Sequence, residues 1–132
     1  RLEDSANGIQ EHTRQIKALL EQCGQSEAKE HCKGMEGLVK EARKHAIDAD
    51  FEDRDVRDVS IIAQYQRMCH YGLAGFGTAA AYADALGKED QAETLREIVA
   101  DIYEADDYMS SDGGEAVINR DNSPCIECAC NN

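Results

Sequence analysis

Tryptophan is absent from this chain of 132 residues, and proline occurs once, at Pro124. With its single proline so close to the C-terminus, the chain has no proline to break a helix before it. β-Branched residues are sparse, while Ala, Glu, Asp and Gln are abundant. That balance disfavours strands and favours helix. No apolar run approaches the roughly 20 residues needed to cross a bilayer, and no signal-peptide pattern is visible. Basic residues are scarce, 14 against 27 acidic ones, for a net charge of −13. Such a surface repels phosphate backbones and anionic membranes, so we expect no nucleic-acid partner and no membrane span. Cations, basic proteins and metal ions are favoured instead. No internal repeat is present. The first residue is Arg1 and not Met, so the natural N-terminus is expected to have been removed or to be unrepresented. A cytoplasmic location is expected, with export after N-terminal processing as the alternative.

Two composition regimes follow one another. Residues 1–112 read as an all-α bundle domain. Residues 113–132 hold Gly-Gly, Asn, Ser, Pro and three cysteines, and read as a flexible, irregular tail. In the first regime, Ile9, Ile16 and Cys23 recur at seven residues with Leu19 and Leu20 between them, which predicts a helix over about 3–23 stopped by Gly24. A shorter helix is predicted from Ser26 to about Ile47, with Met35, Leu38 and Val39 inward. After an acidic loop over 48–55, the steps of three and four through Ile62, Tyr65, Cys69, Leu73, Phe76, Ala80 and Ala83 predict the longest helix, about 56–86, capped by Gly87. Gly72, Gly75 and Gly77 inside it are expected to mark close approach of another helix, with a local kink as the alternative. Leu95, Ile98, Val99, Ile102 and Met109 predict a fourth helix over about 89–110. Short connections between long amphipathic helices imply antiparallel neighbours.

Several segments carry more than periodicity. Cys32-Lys33-Gly34-Met35-Glu36-Gly37-Leu38 with Glu41 resembles a signature segment of the YciF-like branch of the ferritin-like proteins. Asp58, Ile61-Ile62-Ala63, Gln66, His70-Tyr71, Ala74, Gly77-Thr78, Ala83 and Leu86-Gly87 resemble that family's next segment. Glu11 with Gln15, and Leu95, Asp101 and Ala105-Asp106, resemble two more, in the same order along about residues 8–110. The resemblance implies a ferritin-like antiparallel four-helix bundle around a carboxylate-bridged dimetal centre, and an association with stress responses. Iron or manganese is the implied metal. This chain departs from the family's pattern at the ligands. Cys69 and Gly72 stand where the family has glutamates, and Asp101 and Ile102 replace a Glu-Glu pair.

Candidate metal ligands in the bundle are therefore Glu11, Asp101 and Cys69. Each has a plainer reading: Glu11 paired with a cation or with Gln15, Asp101 on a solvated acidic face with Glu104, Asp106 and Asp107, and Cys69 a buried thiol acting as a small hydrophobe. His70 is expected to be hydrogen bonded and structural, while His12, His31 and His45 are expected to face water. Glu36 and Glu41 read as packing and surface residues. Cys23 and Cys32 could pair as a disulfide or stay as two thiols. In the tail, Cys125, Cys128 and Cys130 are close enough to hold zinc, copper(I) or an iron–sulfur cluster with a ligand from elsewhere, or to form one disulfide with a thiol left over.

Three functions fit these observations. One is a non-catalytic metal-binding or structural ferritin-like protein whose dimetal site has decayed. Another is a carrier or precursor whose bundle is a recognition handle and whose tail is modified, or held, by a partner protein. The third is a dimetal oxidase using Glu11, Cys69 and Asp101. The resembled family also closes its core with a helix that has no counterpart before Arg1. A groove exposing Ile16, Leu73 and Val99 is thus expected, and with it a homo-oligomer, most simply a twofold dimer.

Overall fold

A computed structural model describes residues 2–26 and 31–118, with the side chains of 6–26 and 31–111. It contains α1 (Leu2–Gln22), α2 (Lys33–Ala42), α3 (Arg54–Ala85) and α4 (Glu89–Ile118), and no strand among the described residues. The all-α architecture expected from composition is what forms. No helix among the described residues is long and apolar enough to cross a membrane.

Glycines end two of the helices in the same way. Gly24 and Gly87 both take φ +68°. The Gly24 N–H bonds to Glu21 and that of Gln25 to Leu20, both at 2.9 Å, while Gly87 N–H bonds to Asp84 and that of Lys88 to Ala83, again at 2.9 Å. This paired closure satisfies the last carbonyls of a helix, and glycine adopts the left-handed turn without a Cβ penalty. Gly113 and Gly114 do not take that conformation. Accordingly α4 runs on through them to Ile118, past the end expected near residue 110.

The second helix starts later than expected. Its N-cap is Cys32, whose sulfur accepts from the Met35 N–H. A π-helical turn over Arg43–Ile47 extends α2, closed by the Asp48 N–H on the Arg43 carbonyl at 2.8 Å. The hydroxyl of Ser60 donates to the His45 carbonyl at 2.6 Å and ties this turn to α3. Val39, expected inside, is exposed. At the start of α3, the Asp53 carboxylate accepts from the Asp55 N–H at 2.7 Å, as an N-cap aspartate should.

α3 and α4 form an antiparallel hairpin, and most of the tertiary packing lies between them. The core is small-sided: Ala80, Ala83, Ala92 and Leu95, against which Ile16, Leu19, Phe76 and Ala79 pack. Ile98 is the one large side chain that is fully buried among the described residues. α1 lies antiparallel to α4, with His12 beside Asp101 and Cys23 beside Gln91. It packs onto the hairpin through its second half and splays away over its first. The glycines of α3 do not mark close helix packing: a Cβ at Gly75 or Gly77 would meet nothing within 4 Å, and one at Gly72 only ordinary contacts. Among the described residues, no helix covers that side of α3 at those two positions.

Candidate functional site

Where α1 diverges from the α3–α4 hairpin, a cleft of about 1240 Å3 opens. Its lining is mostly apolar, with Ile9, Ile16, Met68, Phe76, Ile102 and Met109 among its walls and Met35 of α2 at its margin. Ile9 is exposed, because α1 stands off the hairpin there. Of the three residues expected to line a groove, Ile16 does. Leu73 and Val99 are half-buried outside it. One residue further along a helix is about 100° further round it, so Leu73 turns away from the side that Gly72 presents.

Cys69, Gly72, Asp101 and Ile102, the four positions at which this chain has replaced a glutamate of the resembled family, all line this one cleft. A Cβ at Gly72 would lie 3.6 Å from Ile102 Cδ1, so the two substituted positions face each other as an apolar pair. The donors left at these four positions are one thiol and one carboxylate, and of further His, Cys, Asp or Glu side chains the cleft lining adds only His12 and the exposed Glu104. Burial pushes the Cys69 thiol above its ordinary pKa; a hydrogen bond with Tyr65 opposes that, and the nearby Asp106 charge adds to it. A thiol held protonated is a poor metal ligand. Asp101 is already engaged by His12, Nε2 to Oδ2 at 3.1 Å. Carboxylate-bridged iron or manganese pairs need several inward carboxylates, and this donor set does not fit such a pair. Among the described residues, no group of three or more His, Cys, Asp or Glu side chains gathers around a single point.

Glu11 is not in the cleft wall. It forms a two-pronged pair with Arg14 at 2.5 and 2.9 Å. That hydrogen bond, and then the guanidinium charge, hold its carboxyl below the usual value. His12, expected in water, instead lines the cleft with its side chain only 14% exposed. It is turned inward by its bond to Asp101, one of the few polar links between α1 and α4. Asp106, expected on a solvated face, is buried. His70 reaches it across the hairpin, Nε2 to Oδ2 at 3.0 Å, which supplies the hydrogen bond expected of His70. His31 pairs with Glu36 at 2.7 Å and His45 with Glu41 at 3.0 Å on the surface. Cys125, Cys128 and Cys130 lie outside the described residues.

Cys23 and Cys32 are free thiols with separate partners. Cys32 caps α2 and lies 3.2 Å from the Tyr71 hydroxyl. Gly34 makes this possible: a Cβ there would fall 2.5 Å from the Tyr71 oxygen. The Tyr71 hydrogen bond first, then the Met35 N–H, lower the Cys32 pKa, while the same contact raises that of Tyr71. Nothing in the order of residues pairs positions 32 and 71; the cramped glycine was the only available signal. Cys32 should therefore be the first of the three described cysteines alkylated by iodoacetamide at neutral pH, and Cys69 the last. Ordinary thiols titrate near pH 8.5; a lowered value keeps Cys32 as thiolate below that, and its rate should drop only as pH falls through the lowered value. Peptide mass spectrometry over a pH series measures this. Equal rates at Cys32 and Cys69, or no slowing by Tyr71→Phe, would contradict the geometry.

Comparison with known proteins places these features among relatives. A family model described as a domain of unknown function, DUF892, matches residues 1–121. The protein YciF of Escherichia coli (strain K12) is 39% identical over 66 residues, a stretch that is 50% of this chain and 39% of that protein. The chain thus aligns with less than half the length of that curated relative. The crystal structure of the E. coli stress protein YciF superimposes with a TM-score of 0.74 at 28% identity, covering 90% of this chain and 72% of the other. The bundle is therefore of the YciF-like, ferritin-like kind that its segments resemble.

Proposed function

We propose a function from one premise: this chain belongs to the DUF892 family, whose model matches nearly all of it. On that premise it is a stress-associated, non-catalytic ferritin-like bundle whose dimetal centre has decayed into an apolar cleft. One observation carries the reading. Four of the positions where the family has glutamates converge on the cleft and bring a thiol, a hydrogen, one aspartate and an isoleucine, while Glu11 is paired with Arg14. The helices that frame the site are kept while the chemistry that needs it is not. A dimetal oxidase would need those carboxylates. The reading also places the chain in a reducing, cytoplasmic compartment, in keeping with Cys23, Cys32 and Cys69 as free thiols. Metal analysis of natively purified protein tests it. Well under one iron or manganese per chain is expected, and about two per chain, the stoichiometry of such centres, would overturn it.

The cleft also supports self-association, with a second copy covering its apolar walls. Large exposed apolar patches are rare on soluble monomers, and a twofold pairing of cleft with cleft is the simplest closed arrangement. Light scattering at micromolar concentration should give about twice the chain mass; a stable monomer would refute this.

A second reading, the carrier, draws on a separate observation: Cys125, Cys128 and Cys130 lie beyond the residues that match the family. A bundle acting as a handle for a partner that modifies or loads this segment with zinc, copper or an iron–sulfur cluster would account for that placement. An intact mass above the encoded one, or metal that is lost when residues 119–132 are removed, would favour it.

A further inference from the structure

Away from the cleft, the end of α1 meets the turn between α3 and α4. Lys88 Nζ lies 3.6 Å from Cys23 Sγ, and the thiol donates to Gln91 Oε1, also at 3.6 Å. Both backbones are held in place. Cys23 N–H bonds to the Leu19 and Leu20 carbonyls at 3.1 Å, just ahead of the Gly24 turn. Lys88 is pinned on both sides, its N–H to Ala83 at 2.9 Å and its carbonyl to the Ala92 N–H at 3.0 Å. Cys23 and Lys88 are both exposed, so a small oxidant can reach them. The other described thiols are engaged elsewhere, Cys32 with Tyr71 and Cys69 in the cleft wall.

A thiol oxidised to sulfenic acid carries an electrophilic sulfur, which is captured by a thiol or by nitrogen. At Cys23 the group positioned for capture, among the described residues, is the Lys88 amine. Preorganisation of two reacting groups in contact raises their effective concentration greatly over that of a free competitor. We propose that Cys23 and Lys88 form an oxidant-operated covalent link, a sulfenamide, that fastens the end of α1 to the α3–α4 turn.

The oxidant is hydrogen peroxide. The Cys23 sulfur attacks one peroxide oxygen, the O–O bond breaks and an S–O bond forms; sulfur loses two electrons and water leaves. Lys88 gives its ammonium proton to water, and its nitrogen attacks the sulfur. The S–N bond forms, the S–O bond breaks, and the departing hydroxide takes a proton from nitrogen to leave as a second water. One thiol, one amine and one peroxide thus become one link and two waters. A thiol reductant restores both side chains. The link matters mechanically because α1 is one wall of the cleft and touches the hairpin along a short stretch only. Fastening its C-terminal end limits how far that wall can move, whatever the cleft holds.

The full chain, treated with hydrogen peroxide, alkylated and digested with trypsin, should yield a peptide joining Cys23 to Lys88. It should be lighter by two hydrogens than the sum of its parts, uncut after Lys88, and lost on treatment with dithiothreitol. Lys88→Arg keeps the charge at an exposed position and removes the nucleophilic amine. That variant should show the same helical circular dichroism and no link, with Cys23 recovered as higher oxides. Recovery of Cys23 from the natural chain as sulfinic acid or in a disulfide, with normal cleavage after Lys88, overturns the proposal. So does a link whose yield rises with protein concentration, because the geometry requires it to form within one chain.

Discussion

Replacing Ile98 by alanine should destabilise the bundle by about 3 kcal/mol, in the range found when large aliphatic side chains are truncated in a core. Ile98 is the one large side chain fully buried among the described residues. Truncating it removes buried methylenes and leaves a cavity that the surrounding packing refills only in part, which adds its own cost to the lost burial. In a domain near 100 residues such a loss lowers the melting midpoint by roughly 10–20 °C. Ile47→Ala is the matched control: Ile47 is 72% exposed, and surface truncations generally stay within about 0.5 kcal/mol. Thermal and denaturant unfolding of the two variants makes the comparison. Equal effects at the two sites, or a loss below about 1 kcal/mol at Ile98, would mean that the core lies elsewhere.

The second large effect is a gain. Writing glutamate back at three cleft positions, Cys69→Glu, Gly72→Glu and Ile102→Glu, should create a site that takes up iron or manganese at about two ions per chain, as carboxylate-bridged bundle centres do. The cleft has the room, and a side chain at Gly72 meets only ordinary contacts. Without metal the triple variant should be less stable than the natural chain, since crowding carboxylates into an apolar wall costs desolvation and repulsion. Added manganese should reverse this, because an ion that binds only the folded state raises its stability with concentration. A folded triple variant whose melting point ignores manganese would show that these positions do not converge as described, and the decayed-site reading would lose its support.

Several features are legible in the sequence. Gly24 and Gly87 end their helices in the sequence as they do in space, since glycine's freedom at positive φ is a local property. The periodic apolar residues of α3 and α4 located both helices, and the resemblance picked out Cys69, Gly72, Asp101 and Ile102 as one set. The start of α2 is hidden in the sequence because its cap, Cys32, is a cysteine and not a residue ordinarily found there. The end of α4 is hidden as well, because two glycines signal a stop only when one of them turns left-handed, and Gly113 and Gly114 stay helical.

Charge, helical class and helix ends follow from the sequence by itself, because each depends on composition or on neighbours a few residues away. Which polar groups leave water was settled only by the tertiary structure. His12 and Asp106 sit on faces that read as solvated, and they are turned inward by partners 89 and 36 residues away, Asp101 and His70. The same holds for the cysteines: Cys32 meets Tyr71 across 39 residues, and Cys23 meets Lys88 across 65. Such pairs form where packed helices happen to bring two short segments together. Helix periodicity says which side of a helix a residue occupies, but the rotation and tilt of one helix on another, set here by small alanine contacts and by a splayed α1, decide what that side will touch.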